Sequence, residues 1–148
     1  MAIKVYSASE VSVSFSAIPI DSGRGDDEFL RIEQQEDTYT YKAGVDGEGT
    51  RSENRNFYTV VTLTVMQSSS ANERLSAIHN LDVKVPGGSG VGPMLVRDNQ
   101  GLTVFAATQA WIIKPPDQAF AREAGTREWK IGCHAPASFV GGNNALGG

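Results

Sequence analysis

The sequence predicts a mainly β protein: an antiparallel β-barrel or sandwich with one flanking α-helix. Its 148 residues include 30 β-branched residues (13 Val, 8 Ile and 9 Thr) against 7 Leu, and β-branched side chains suit a pleated sheet better than a helix. Most of the 16 Gly and 6 Pro lie between short apolar runs, as turns between strands require. Only one segment is convincingly helical. This length suits a single domain, residues 1–148.

The first third of the chain predicts short strands. Residues 11–17 alternate Val and Phe with Ser, which indicates a strand with one apolar face. Pro19 indicates that the far end of this strand lies at a sheet edge or leaves the ladder. Residues 29–33 and 38–42 predict two further strands. Residues 34–37 between them are interpreted as a hairpin connection.

Residues 43–56 differ from the segments around them. They contain three glycines, three acids, two arginines and one apolar β-former, Val45. Because such a segment cannot bury itself against a core, we expect a projecting loop or extended hairpin. As a hairpin arm it would span up to roughly 23 Å, since each leg rises about 3.3 Å per residue. Residues 57–66 then place β-formers on both faces and predict a central, largely covered strand.

One helix is predicted at about residues 70–82. Ser70 and Glu73 have the spacing of a capping box, in which each side chain bonds to the backbone N–H of the other residue. Apolar residues at helical spacing predict a stripe that lies on the sheet. The stripe consists of Ala71, Leu75, Ile78 and Leu81.

The second half of the chain predicts a glycine-rich flexible linker and then three strands. The linker is residues 86–93, and the strands are residues 94–97, 102–113 and 126–134. A tight turn at residues 98–101 joins the first two strands as a hairpin. In the last strand Trp129 and Ile131 share one face. The tail, about residues 141–148, is expected to be flexible.

Composition excludes several classes of protein. The apolar stretches are far shorter than the roughly 18–20 residues that a membrane-spanning helix needs, and one cysteine cannot form an internal disulfide. A net charge of −4 is a poor basis for gripping nucleic acid, which needs clustered Lys and Arg. The N-terminus lacks the apolar region of a signal peptide, so we expect synthesis in the cytoplasm.

The sequence contains no recognisable catalytic or metal motif. Cys133 and His134 are neighbours in a predicted strand, so they point to opposite faces and cannot easily share a metal. The glycines of residues 87–92 precede a strand and lack the Gly-Lys-Ser/Thr ending of a phosphate loop. Asp46 and Glu48 lack the spacing of a calcium loop. We therefore expect no enzyme activity, no cofactor and no metal.

Acidic residues are concentrated in one part of the chain. Residues 21–53 hold 10 of the 17 acids and 4 of the 13 bases, a local net charge of −6. The rest of the chain therefore sums to +2. A solvated strand face and loop would explain this, and so would an acidic surface past which an anionic polymer moves without sticking.

Several segments together resemble the tail tube proteins of contractile-tailed bacteriophages. The most specific are Asp-Gly-Glu-Gly-Thr-Arg-Ser (residues 46–52) and Trp-Ile-Ile-Lys-Pro-Pro-Asp (residues 111–117). The other segments that carry the resemblance are residues 11–20, 69–75, 91–98 and 127–129. They keep the family's order from near the N-terminus to about residue 142.

The resemblance implies a virion protein that forms hexameric rings stacked into the inner tube of a contractile tail. It also implies a tail sheath around the tube, baseplate and tail-terminator proteins at its ends, and double-stranded DNA passing through it. On this reading the residue 43–56 segment contacts a neighbouring ring through Val45, Asp46, Glu48, Arg51, Glu53 and Arg55. The lumen-lining candidates are Asp26, Asp27, Glu28, Glu33, Glu36 and Asp37.

Two alternatives stay open at this stage. One is a related tube-like component, such as a baseplate protein, a tail terminator or a secretion-system tube. The other is a non-catalytic ligand-binding β-sandwich, whose aromatic platform would use Tyr39, Tyr41, Trp111 and Trp129. Core packing of at least one Trp is expected to argue against the second.

Overall fold

The computed structural model of the chain describes residues 3–20 and 23–142, so residues 143–148 of the predicted tail lie outside the described residues. The described part contains ten strands and the helix α1 (Ala71–Lys84). The strands are β1 (Val11–Phe15), β2 (Ile18–Pro19), β3 (Leu30–Gln34), β4 (Tyr39–Ala43), β5 (Gly49–Glu53), β6 (Thr59–Met66), β7 (Gly92–Asp98), β8 (Val104–Lys114), β9 (Thr126–Cys133) and β10 (Ala137–Phe139). The predicted mainly β fold with one helix is confirmed.

Eight strands form one antiparallel sheet, in the order β2-β1-β7-β8-β9-β6-β3, with β10 paired to β8. Strand β8 has two neighbours along one edge, since Phe105 pairs with Ser138 of β10 whereas Ala110 pairs with Cys133 of β9. Strand β6 lies between β9 and β3, so its predicted interior position is confirmed. The edge position of Pro19 is confirmed as well.

The segment after β2 closes the sheet towards a barrel. The Ile20 N–H donates to Val13 O of β1 at 2.8 Å, and five residues later the Gly25 N–H donates to Thr64 O of β6 at 3.0 Å. Because β1 and β6 lie near opposite ends of the strand order, this segment connects the two sides of the sheet.

Arg24 holds the closing segment in place. Its guanidinium donates to the carbonyl oxygens of Ile20 at 2.8 Å, Ala8 at 3.0 Å and Val11 at 2.6 Å. The same group lies 4.8 Å from the ring centre of Phe29. A single cation therefore connects the start of β1 to the chain that runs along β6.

The core fills the interior of the barrel. Strands β1, β6, β7 and β9 bury about every second residue, as the period-2 patterns predict. The largest fully buried side chains include Trp129, Phe15, Phe105, Ile20 and Leu63. Each such side chain stabilises the fold by roughly 1.5–3 kcal/mol. The predicted shared face of Trp129 and Ile131 is confirmed, because both are buried.

The predicted capping box is wrong. Ser70 already has helical backbone angles (φ −68°, ψ −15°), and its side chain makes no capping hydrogen bond. An N-cap needs an extended backbone to bring its oxygen over the first N–H groups. Instead, Ser69 Oγ accepts from the Ala71 N–H at 3.2 Å. The capping side chain therefore comes one residue earlier than predicted.

The apolar stripe of α1 is confirmed in its first half only. Ala71 and Leu75 are buried, and Ile78 packs against the core. Leu81 is 57% exposed, so its predicted burial is wrong. The reason is that α1 rests on the barrel through its first turns, and the core ends near Ile78.

The glycine-rich connection between α1 and β7 is folded onto the helix. Asp82 accepts hydrogen bonds from the backbone N–H groups of Ser89 at 2.8 Å and Gly90 at 2.9 Å. Gly87 and Gly88 have positive φ angles of 81° and 82°, which glycine adopts without strain. The connection predicted as a flexible linker is therefore a turn with defined hydrogen bonds.

The predicted hairpin at residues 34–37 is wrong. Strand β3 pairs with β6, and among the described strands β4 pairs only with β5. Gln34 Nε2 donates to Glu36 O at 2.7 Å and to Thr38 Oγ1 at 3.0 Å, which bends the chain out of the sheet. Strand β10 was not predicted, because its three residues, two of them Ala and Ser, give a weak strand signal. No helix in residues 3–20 and 23–142 is both long and apolar enough to cross a membrane.

Candidate functional site

A two-stranded arm projects from the barrel. It consists of β4 and β5, which pair with each other from Tyr39↔Glu53 to Ala43↔Gly49 and with no other described strand. All ten residues of the two strands are exposed. An isolated two-stranded hairpin is marginally stable in water, so an arm of this kind gains stability by docking on another surface.

The arm ends in a tight turn. The Gly44 N–H donates to Glu48 O at 2.7 Å, and Asp46 Oδ1 accepts from the Glu48 N–H at 3.2 Å. Gly47 has φ +90°, which requires glycine there. Val45 is fully exposed at this turn. The tip therefore presents one exposed apolar side chain, followed in the chain by the carboxylates of Asp46 and Glu48.

Contacts along the arm give it a defined shape. The Arg51 guanidinium lies 4.0 Å from the ring centre of Tyr39. At the root, Arg55 pairs with Glu53 at 2.8 Å. Both partners of that pair are largely exposed, so it contributes little to stability.

The six predicted contact residues all lie on the arm or at its root. Val45, Asp46 and Glu48 form the tip, Arg51 lies halfway along β5, and Glu53 and Arg55 are at the root. The projecting segment begins earlier than predicted, because Tyr39–Ala43 is one of its legs. Their contact with a neighbouring ring stays a prediction.

The six predicted lumen residues are all exposed, but they fall in three places. Asp26, Asp27 and Glu28 precede β3, and Glu33 lies on β3. Glu36 and Asp37 lie at the arm root, where Glu36 Oε2 accepts from the side-chain amides of Asn54 and Asn56 at 2.7 and 3.1 Å. The orientation of these carboxylates towards a lumen stays a prediction.

A cation interrupts the acidic surface. Arg31 donates to Glu28 Oε1 at 2.6 Å and Oε2 at 3.1 Å, and these hydrogen bonds lower the pKa of Glu28. Glu33 and Glu128 also lie close enough to raise the pKa of Arg31. Sequence reasoning missed this pair, although Arg31 is one of only four bases in residues 21–53.

The aromatic residues do not form one platform. Trp129 is 1% exposed and belongs to the core, so the expected core packing of one Trp is confirmed. Tyr39 and Tyr41 lie on the arm. Trp111 stacks on Tyr58 with ring centres 6.0 Å apart. The platform that a sugar-binding module would need is therefore split between the arm, the sheet and the core.

Cys133 is buried, and burial raises the pKa of its thiol to about 11. His134, its neighbour, is exposed. Within residues 3–20 and 23–142, no three His, Cys, Asp or Glu side chains come together in a way that could hold a metal ion. The most conspicuous feature of the described surface is thus the arm.

An antiparallel barrel with one flanking helix and a projecting two-stranded arm defines a tail-tube-like fold of contractile injection systems. A chain of the sheath-tube complex of the PVC extracellular contractile injection system shares it, with a TM-score of 0.58 over 92% of both chains at 10% identity. The PVC sheath/tube terminator aligns at 0.58 over 95% of this chain and 100% of its own, at 9% identity. The anti-feeding prophage tube terminating cap aligns at 0.57 over 95% of both chains, at 8% identity. At these identities, the likeness shows the fold alone.

Sequence comparison adds the family. Residues 3–141 match the family model of the bacteriophage PhiTE tail tube protein, and the chain belongs to that family. The structural protein ORF10 of Pseudomonas phage KPP10 is 30% identical over 125 residues, which are 84% of this chain and 72% of that protein. The predicted relationship to phage tail tube proteins is confirmed, and the chain is a structural protein of this type.

Proposed function

We propose that this chain assembles into hexameric rings that stack into the inner tube of a contractile phage tail. The single observation that carries the proposal is the exposed arm, which pairs only with itself over ten residues and ends in an exposed valine. In a monomer such a hairpin stays exposed and only marginally stable, whereas in a stack of rings it is buried against a neighbouring subunit. The role is structural and needs no catalysis, cofactor or metal.

The proposed partners follow from the proposed place of the protein in the inner tube of the tail. The tube lies inside a tail sheath and ends at baseplate and tail-terminator proteins, so the protein belongs to the virion. The similar solved chains come from a sheath-tube complex, a sheath/tube terminator and a tube terminating cap. These relationships support the proposal through the shared fold.

Double-stranded DNA is the proposed cargo of the lumen. Residues 21–53 carry a net charge of −6, and the acids predicted for the lumen are exposed. A negative wall repels phosphates at every step and so favours passage over binding.

Replacing the arm tests the proposal. The Asn54 N–H lies 2.7 Å from Thr38 O, so a Gly-Gly link can replace residues 39–53 without moving the barrel. The expected variant folds, with a cooperative thermal unfolding transition like that of the wild type, but forms no tubes in negative-stain images at high concentration. Asn80→Ala, an exposed change on α1, is the matched control and should form tubes of normal length. Wild-type-length tubes without the arm would contradict the proposal.

A tube-capping role is the second candidate, because the terminator and cap chains align as well as the sheath-tube chain does. A terminator closes a stack and does not extend it. The unmodified protein would then give single rings at every concentration, whereas a tube protein gives filaments.

A further inference from the structure

A cavity away from the arm is built around a buried guanidinium. Arg127 of β9 is 7% exposed and lines a cavity of about 340 Å³. We refer to this cavity as the Arg127 pocket. Its walls include Asn72, Pro115, Pro116, Phe120 and Trp129.

The charge of Arg127 has no carboxylate partner among the described residues. Its two terminal nitrogens donate to carbonyl oxygens, those of Thr126 at 3.0 Å and Ala119 at 3.2 Å. The ion pairs in residues 3–20 and 23–142 are Glu28–Arg31 and Glu53–Arg55, and neither includes it. A guanidinium carries five N–H donors, so the pocket retains donors for an acceptor from outside. A buried charge is costly until an opposite charge pairs with it.

The rest of the pocket resembles the centre of a protein interface. The Phe120 ring lies 5.2 Å from the Arg127 guanidinium and is 77% exposed. Pro115 and Pro116 add apolar surface that carries no backbone N–H. Arg and aromatic residues in a partly desolvated pocket are typical of residues that dominate binding energy.

The arm tip has the complementary chemistry. Val45 is fully exposed and apolar. Asp46 already accepts a hydrogen bond within the turn, from the Glu48 N–H. The Glu48 carboxylate makes no hydrogen bond or ion pair with the residues that the structure describes. Glu48 is therefore the tip carboxylate free to meet a cation.

We infer that the Arg127 pocket of one subunit receives the arm tip of a second copy. Val45 packs against Phe120 and the two prolines, and the Glu48 carboxylate pairs with the Arg127 guanidinium. Such a pair forms in a partly buried place, where its loss costs more than at an exposed rim. The inference rests on the proposed function, because the arm reaches a second pocket only when copies assemble.

Cysteine cross-linking between copies tests the inference directly. Subunits with Val45→Cys are assembled with size-tagged subunits that carry Gln118→Cys, because Gln118 is exposed and lines the pocket. Oxidation should join an untagged and a tagged chain, which gives a band of unique size on a denaturing gel. The matched control pairs Val45→Cys with tagged Ser138→Cys, an exposed residue that lines a different cavity. It should give no mixed band.

The outcomes separate the pocket from the tube. Two results overturn the docking of the arm tip in the Arg127 pocket and leave the tube proposal standing. One is normal filaments without a Val45–Gln118 band, and the other is normal filaments with a Val45–Ser138 band of equal strength. Failure of the unmodified chain to form filaments or rings overturns both.

A charge reversal gives a second measurement that does not depend on cross-linking. Glu48→Arg should raise the concentration needed for filament growth about tenfold or more, whereas Glu10→Arg, on a partly exposed acid away from the arm, should leave it unchanged. An equal effect of both variants would show that net charge controls assembly and would overturn the specific pair.

Discussion

Asn72 joins α1 to the barrel by accepting a hydrogen bond from the indole Nε1 of Trp129 at 2.9 Å. The donor belongs to a residue that is only 1% exposed. The amide nitrogen of Asn72 also lies 3.1 Å from Met66 O, 3.3 Å from Gln67 O and 3.2 Å from Ser69 O. One polar side chain therefore connects β9, the β6–α1 turn and the first turn of the helix.

Asn72→Ala should lower the free energy of unfolding by roughly 1–3 kcal/mol, because it leaves the buried indole N–H without an acceptor. The melting temperature should fall by about 2–4 °C for each kcal/mol. Chemical denaturation followed by tryptophan fluorescence measures the change. Asn80→Ala, at an exposed position on the same helix, should change it by less than about 0.5 kcal/mol. Equal effects of the two variants would show that the Trp129 hydrogen bond does not hold the helix.

Arg24→Met should destabilise the barrel by roughly 2–3 kcal/mol, because three carbonyl oxygens lose a charged donor. Those carbonyls belong to Ala8, Val11 and Ile20. Urea denaturation gives the value, and amide exchange of the Gly25 N–H reports on the closing segment. Arg122→Met, on an exposed arginine, is the control. An unchanged Gly25 exchange rate in Arg24→Met would show that the closure does not depend on this side chain.

Most strands were predictable from the sequence, whereas their pairing was predictable only in part. Period-2 alternation gives each strand an apolar face from local sequence alone, and β1, β6 and β9 follow it. The pairing of β3 with β6, and not with β4, depends on contacts distant in sequence. The helix was found at nearly the right place, but its cap moved from Ser70 to Ser69 because backbone angles, and not residue types, decide which serine caps.

The candidate site, too, could be predicted from the sequence only in part. Residues 43–56 revealed an exposed segment, because a stretch with one apolar β-former cannot enter a core. The first leg of the arm, Tyr39–Ala43, was not predicted to be part of the projecting segment, because its alternating residues resemble those of a barrel strand. The Arg127 pocket could not be predicted, because an arginine in a strand pattern is expected to face solvent. Its burial depends on how the irregular segment around Phe120 folds back over β9.

Cys133 should resist alkylation in the native protein. With a thiol pKa of about 11, about one thiol in a thousand is ionised at pH 8, and the thiolate is the reactive form. Iodoacetamide at about pH 8 should label the folded protein very slowly and the guanidinium-unfolded protein fully, as mass spectrometry shows. A Val45→Cys variant supplies the comparison, because its exposed thiol should take one label at once. Rapid labelling of native Cys133 would mean that the barrel opens at β9.

Asp82 should make the turn between α1 and β7 sensitive to acid. Its pKa lies below the ordinary 3.8, chiefly because the Gly90 and Ser89 N–H groups donate to it, with a smaller contribution from His79. A pKa that is lower in the folded state gives stabilisation that is complete above the unfolded value and is lost as pH falls through the folded value. Asp82→Ala should therefore lower the midpoint of chemical denaturation at neutral pH. The difference in midpoint between this variant and the wild type should vanish in strong acid.

Amide exchange at Ser89 and Gly90 locates the effect, because protection of both amides should fall as Asp82 is protonated. Asp117→Ala, on an exposed acid elsewhere, should leave these two amides unchanged. If the difference between Asp82→Ala and the wild type grew on acidification, the charged carboxylate would be destabilising the turn, opposite to the direction of its pKa shift. The turn would then be held by the left-handed conformations of Gly87 and Gly88, and Asp82 would serve only as a neutral acceptor.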